Sequence, residues 1–215
     1  VDYPEIKKYS DYLKPIFQLP NYHFQTDPIC FRNPDLPLIG PIYREPTKSK
    51  EEIRDLLGVK KNEQLILVTM GGIPYELSES PLIENTGGSK IIIPGSKVEQ
   101  ETHIDNMIFL PHHHQYFHPN LVHASDIVIG KVGYSTIAEV YSAKIPFLYL
   151  PRSNFRESQY LVNFIKKRMV SEEINQNFLK RKDWINFALE LKKSSLRSVQ
   201  AKNGSKEFAD FINKL

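Results

Sequence analysis

Asp126-Ile127-Val128-Ile129-Gly130-Lys131-Val132-Gly133-Tyr134-Ser135-Thr136-Ile137-Ala138-Glu139 decides the reading of this chain. A short apolar run ends in a glycine-bearing turn, and the turn opens a helical pattern that carries a glutamate one turn in. A phosphate site requires that order of strand, loop and helix start. Glycines let the backbone approach an anion, and a helix N-terminus offers free N–H groups with a partial positive charge. An acid one turn into the helix is placed to accept hydrogen bonds from the two hydroxyls of a ribose. The same acid has a structural alternative, because Thr136-Ile137-Ala138-Glu139 also fits a capping box in which the carboxylate bonds back to the cap N–H. The sequence leaves both readings open for Glu139.

The surrounding pattern is that of an α/β domain. Leu65–Met70, Lys90–Pro94, Met107–Leu110, Asp126–Ile129 and Pro146–Leu150 are short runs, rich in β-branched residues and apolar throughout. Alternation is missing, as expected for parallel strands covered on both faces. Helical patterns fall between and after them, at Pro119–His123, Ser135–Ala143, Arg156–Arg168, Lys182–Lys193 and Ser205–Leu215. Ser49-Lys50-Glu51-Glu52 is a capping box that starts a further helix, ended by Gly58. The long Met70–Lys90 connection has room for a weak helix around Leu77–Asn85. The reading is a Rossmann-like, doubly wound parallel sheet over residues 47–215. Residues 1–46 hold Pro4, Pro15, Pro20, Pro28, Pro34, Pro37, Pro41 and Pro46. That density argues for an extended segment, with extended pieces at Pro15–Leu19 and Leu36–Tyr43, acting as the tail of a preceding unit and a linker.

Composition sets outer bounds. The 215 residues are 40% hydrophobic and 25% charged, with a net charge of +3, ordinary for a globular protein and too mild to argue for nucleic acid. The single cysteine, Cys30, excludes an intrachain disulfide and fits a reducing, cytoplasmic setting. No apolar run reaches the roughly 18 residues of a membrane span, which leaves peripheral membrane contact as the form open to it. Val1 is not an initiator methionine, as in a processed product or a piece of a longer chain. His112-His113-His114, with His118 and His123, lacks the partners and spacing of a metal site and reads as a polar loop lining a base pocket.

Ligands on such sheets lie outside the carboxyl ends of the strands. Those ends are Gly71-Gly72, Gly95-Ser96, Pro111-His112, Gly130–Ser135 and Pro151–Gln159. Gly71-Gly72 suits a backbone approach to phosphate or simply a tight turn. Arg152, Arg156, Glu157 and Gln159 bring charge and hydrogen-bonding capacity to the last of these ends, either for a ligand's far end or as a solvated loop.

The run Asp126–Glu139, the strand Pro146–Leu150, and then Pro151-Arg152 with Phe155-Arg156-Glu157 resemble the C-terminal half of a GT-B glycosyltransferase. The overall pattern is similar to lipid-intermediate N-acetylglucosaminyltransferases and diacylglycerol galactosyltransferases. Gly130-Lys131-Val132-Gly133-Tyr134-Ser135-Thr136 with Arg152, Phe155 and Glu157 is more similar to a branch of predicted glycosyltransferases that also supplies the N-terminal region of plant arabinose kinases. The resemblance spans about residues 36–190, and Gly40-Pro41 before Arg44 resembles the interdomain linker of that branch.

The resemblance implies a nucleotide-sugar donor, with UDP-sugar favoured, whose sugar passes to an acceptor hydroxyl without a metal or other cofactor. It implies Gly71 and Gly72 under the diphosphate and Leu110, Pro111 and His112 reading the base. Gly133, Tyr134, Ser135 and Thr136 would line the phosphates, Lys131 would help neutralise them, and Glu139 would bind ribose. Arg152 would face the diphosphate, with Glu157 and Gln159 reaching the sugar. Gln159 with Asn163 matches only the looser form of the family's sugar-binding pattern. The acceptor site and base would come from a missing N-terminal domain or partner subunit, so no catalytic residue is nominated. A nucleotide-sugar 2-epimerase on the same scaffold and a non-catalytic nucleotide-sugar-binding module are the alternatives.

Overall fold

Among the described residues, seven strands form one sheet in the order β5-β6-β4-β3-β7-β8-β9. The strands are β3 (Gln64–Thr69), β4 (Ser89–Ser96), β5 (Thr102–Ile104), β6 (Met107–Pro111), β7 (Ile127–Lys131), β8 (Phe147–Leu150) and β9 (Ser171–Glu173). All neighbours pair in parallel except β5, which lies antiparallel to β6 at one edge. The computed structural model describes residues 3–70, 88–181, 183–193 and 201–215. The helix expected at Leu77–Asn85 lies outside the described residues.

The apolar runs are continuous because each strand feeds two cores. Leu65, Leu67, Ile92, Val128, Phe147 and Tyr149 point to one face. There they meet α2 (Lys50–Leu56), α3 (His118–Ala124), α4 (Tyr134–Ala143) and α5 (Ser158–Arg168) through Ile53, Leu121, Val140 and Leu161. Ile66, Val68, Ile91, Ile93, Ile127, Ile129 and Leu148 point to the other face. They meet the short 3-10 turn Phe178–Lys180 and α6 (Trp184–Lys193) through Phe178, Trp184 and Ala188. Consecutive residues thus face opposite layers, and neither layer is solvent. The box at Ser49 forms as expected: its side chain accepts from Glu52 N–H while the Glu52 carboxylate accepts from Ser49 N–H.

The start of the chain departs from the extended segment expected there. Pro4–Phe17 is a 14-residue helix, α1, and its last turn takes up residues 15–17 of the extended piece expected at Pro15–Leu19. Pro4 stands in the first turn, where a missing N–H costs nothing, and Pro15 falls in the last turn. The residues between them contain no proline, so the helix survives both. Beyond it, β1 (Gln25–Thr26) and β2 (Leu38–Ile39) pair in parallel. The three-residue strands β5 and β9 also lie outside the expected set, being too short to show a period.

The last helix, α7 (Gly204–Ile212), packs on the 22–43 stretch. Phe208 and Phe211 meet Phe24 edge-on with centroids 5.1 and 4.8 Å apart, and Phe211 also meets Tyr22. The two backbones cross at a pair of glycines. A Cβ on Gly204 would stand 2.1 Å from the Gly40 carbonyl oxygen, and one on Gly40 would stand 2.8 Å from that of Lys202. No larger residue fits either position at this spacing, and the crossing is held by Gly204 N–H donating to Pro41 O at 3.0 Å.

Candidate functional site

The chain leaves β3 toward β4 on one side and leaves β7 toward β8 on the other. The carboxyl ends of β3 and β7 therefore flank a topological switch point, where open α/β sheets form a ligand crevice. Thr69 and Gly130 are register partners there. A Cβ on Gly130 would lie 2.7 Å from the Thr69 carbonyl oxygen, so glycine is required for the two strands to come this close.

Helix α4 opens at this crevice. Its cap is Gly133, with no side-chain hydrogen bond. Gly133 has φ −162°, an extended conformation open to any residue, and a Cβ there would meet no described atom within 4 Å. The glycine therefore leaves space at the helix start and relieves no strain. Ile137 N–H donates to Gly133 O at 3.0 Å, whereas the N–H groups of Tyr134, Ser135 and Thr136 have no partner among the described residues. Three aimed donors at the positive end of a ten-residue helix make an anion-binding geometry. Ser135 is exposed, Thr136 partly so, and Lys131 stands half-buried at the end of β7 beside them.

Glu139 is buried, 2% exposed, and it caps nothing. The capping-box reading fails because Gly133, not Thr136, is the cap, which places Glu139 well inside the helix. Its Oε1 accepts from Arg44 Nη2 at 2.7 Å and Nε at 3.2 Å, and its Oε2 pairs with His118 Nδ1 at 2.6 Å. Burial pushes the carboxyl up, but the hydrogen bonds from His118 and Arg44 outweigh it and hold the acid below the usual carboxylate range. His118 Nε2 lies 3.4 Å from Thr69 Oγ1, which ties the pair back to the end of β3. Arg44 lies over the Phe117 ring at 5.0 Å. Neither Arg44 nor His118 was assigned this role from sequence. The only available signal was that a buried helical acid needs a cation, and their separations from it, 95 and 21 residues, hide which one.

The other expected residues divide into groups. Leu110 is buried, Pro111 ends β6, and His112 is exposed against His113 with ring centroids 4.8 Å apart. Burial holds the neighbouring His114 below the usual imidazole range. Among the described residues no group of three or more His, Cys, Asp or Glu is placed to hold a metal ion.

Beyond β8, Arg152 and Gln159 line an open depression of about 450 Å³ with Phe155 and Glu173. The Arg152 guanidinium stacks on Phe155 at 4.5 Å. Glu157 turns instead toward Tyr134 at the start of α4, and burial, Cys30 and Glu157 together push the Tyr134 phenol far above its ordinary value. Cys30 Sγ stands 3.3 Å from that hydroxyl, so the 25–31 stretch reaches the same corner. Gly71 and Gly72 lie outside the described residues.

No family model matches the chain. Over 152 residues, 70% of its length, it is 29% identical to the L-arabinokinase of Arabidopsis thaliana, and that match covers 14% of the arabinokinase. MurG of Acinetobacter baumannii matches 94% of the chain with a TM-score of 0.53 at 13% identity. UGT2 of Phytolacca americana, solved with UDP-2fluoro-glucose and pterostilbene, matches 85% with a TM-score of 0.52 at 14% identity. This is the fold of a GT-B glycosyltransferase C-terminal domain. The chain spans 62% and 48% of those two solved structures. Among the described residues no helix is long and apolar enough to cross a membrane.

Proposed function

We propose that this chain holds a nucleoside diphosphate sugar, with a UDP-sugar favoured, as the donor-binding portion of a glycosyltransferase. The observation that carries the reading is the unpaired N-terminus of α4 at the β3–β7 switch point. The diphosphate would lie on the N–H groups of Tyr134, Ser135 and Thr136, with Lys131 adding charge. Glu139 would take the ribose hydroxyls, and the Leu110–His112 end of β6 would face the base. Arg152 would face the diphosphate, and Glu157 and Gln159 would reach toward the sugar. The fold likeness and the bound UDP-2fluoro-glucose of the Phytolacca protein support the donor class. The chemistry would be attack of an acceptor hydroxyl on the anomeric carbon. As the bond to the diphosphate breaks, the helix terminus and cations would stabilise the departing charge. The acceptor site and base would come from a further domain or subunit.

Thermal unfolding with saturating nucleotide tests the donor site. UDP at 100 times its dissociation constant is expected to stabilise the fold by about 2.7 kcal/mol. The same shift is expected in EDTA and in excess magnesium, since fixed helix dipoles and side-chain cations take the place of a divalent ion. No shift with UDP, TDP or GDP would overturn the reading. A shift seen only with magnesium would overturn its metal-free form.

A further inference from the structure

We propose that Arg44 competes with a ribose diol for Glu139, so that the guanidinium serves as an internal stand-in for the nucleotide's two sugar hydroxyls. The inference rests on the nucleotide-binding reading above.

A carboxylate oxygen has two acceptor positions. Both positions on Glu139 Oε1 are filled by one guanidinium, through Nε at 3.2 Å and Nη2 at 2.7 Å, while Oε2 is held by His118. The Glu139 side chain is 3% exposed, so an incoming hydroxyl reaches Oε1 only if Arg44 withdraws. Arg44 is built to withdraw. Its side chain is 59% exposed, and it also lies over the face of Phe117.

The backbone around Arg44 is pinned. Asn203 Nδ2 donates at 3.2 Å to the main-chain carbonyl of Tyr43, the residue before Arg44, and at 3.0 Å to the side chain of Glu45, the residue after it. Thr47 N–H donates to Asn120 Oδ1 at 2.7 Å. The side chain therefore moves while the main chain stays. A buried carboxylate left bare is costly, and the exchange avoids that state. Two N–H donors leave Oε1 and two O–H donors replace them, so Glu139 is satisfied in both arrangements. Phe117 gives the guanidinium a face to lie on while its polar atoms turn to water.

Such competition lowers the apparent affinity for nucleotide by the fraction of molecules in which Arg44 is withdrawn. If the closed arrangement holds about nine-tenths of the population, Arg44→Gln is expected to bind UDP about tenfold more tightly than the parent, with Arg44→Lys between them. Calorimetric titration of parent and both variants with UDP and with 2′,3′-dideoxyuridine diphosphate tests the idea. The dideoxy ligand cannot contest Oε1, so its affinity is expected to be equal across the three proteins. Circular dichroism checks that each is folded, and Arg44→Lys carries the comparison if Arg44→Gln does not fold.

Parent binding with unchanged or weaker UDP affinity in the variants would overturn the competition while leaving the nucleotide site in place. An equal gain for both ligands would overturn it too, by showing a general block in place of a diol mimic. Failure of all three folded proteins to bind UDP would remove the nucleotide reading and this inference with it.

Discussion

Replacing Asp126 by alanine is expected to cost about 3–5 kcal/mol of folding stability, the scale of removing one partner from a buried ion pair. Asp126 lies just before β7, at the end of the sheet opposite the candidate site. Its carboxylate accepts from Arg54 at 3.0 Å, from Lys50 and Lys192 at 3.1 Å each, and from Leu65 N–H at 2.9 Å. Arg54 is the decisive partner. Its side chain is 10% exposed, so without Asp126 a guanidinium stays buried with only carbonyl oxygens around it. Lys50 and Lys192 are 39% and 36% exposed, and solvent screens their share.

Acid should erase much of this contribution. Burial pushes the Asp126 carboxyl up, but the Leu65 N–H and the lysines outweigh it and hold it at about 2, below the ordinary 3.8. A depressed folded-state pKa stabilises the protein above the unfolded value, and that stability is lost as pH falls from about 4 through about 2. The gap corresponds to about 2 kcal/mol. Urea unfolding reads both effects. The Asp126→Ala midpoint should fall at neutral pH with an unchanged slope, and the difference from the parent should shrink in acid. Coincident midpoints at neutral pH would show that Arg54 is held by its carbonyl acceptors alone.

The second large effect is expected on nucleotide affinity at Glu139. In the Arg44→Gln background, where the competing guanidinium is gone, adding Glu139→Gln should weaken UDP binding by about 1.5–3 kcal/mol, roughly 10- to 150-fold. In the parent background the loss should be smaller, because the amide is a poorer acceptor for Arg44 as well as for ribose. The four proteins form a double-mutant cycle with a coupling term between the two positions. Glutamine preserves volume and one acceptor oxygen, so stability at neutral pH should fall by only about 1 kcal/mol. Because the Glu139 carboxyl is held low in the folded state, its stabilising share is present above the usual carboxylate range and disappears on acidification. Equal UDP affinity of the double and single variants would leave Glu139 as a structural ion pair and nothing more.

Local chemistry was legible from the residues alone. The runs Leu65–Met70 and Asp126–Ile129 announce doubly covered strands, because uninterrupted apolar character has no solvent face to serve. Ser49 and Glu52 announce a helix start because the box closes within three residues. Gly133 through Thr136 announce the start of α4 because a glycine-bearing turn directly follows an apolar strand run and opens a helical pattern. These features depend on neighbours a few positions away, so sequence order is nearly spatial order.

What depends on strand order and packing was decided by the tertiary structure. Thr136 and Glu139 have the spacing of a capping box, yet the helix begins at Gly133, and burial of Glu139 demands cations that the fold brings from Arg44 and His118. Asp126 reads as the first residue of a strand until the sheet sets it between Arg54, Lys50 and Lys192. The last helix reads as part of the sheet domain, yet its aromatic face lies on Tyr22 and Phe24, where glycines at 40 and 204 let two backbones cross. In each case a buried charge or apolar face must be matched. The sequence states that need, and only the folded chain shows which distant residue meets it.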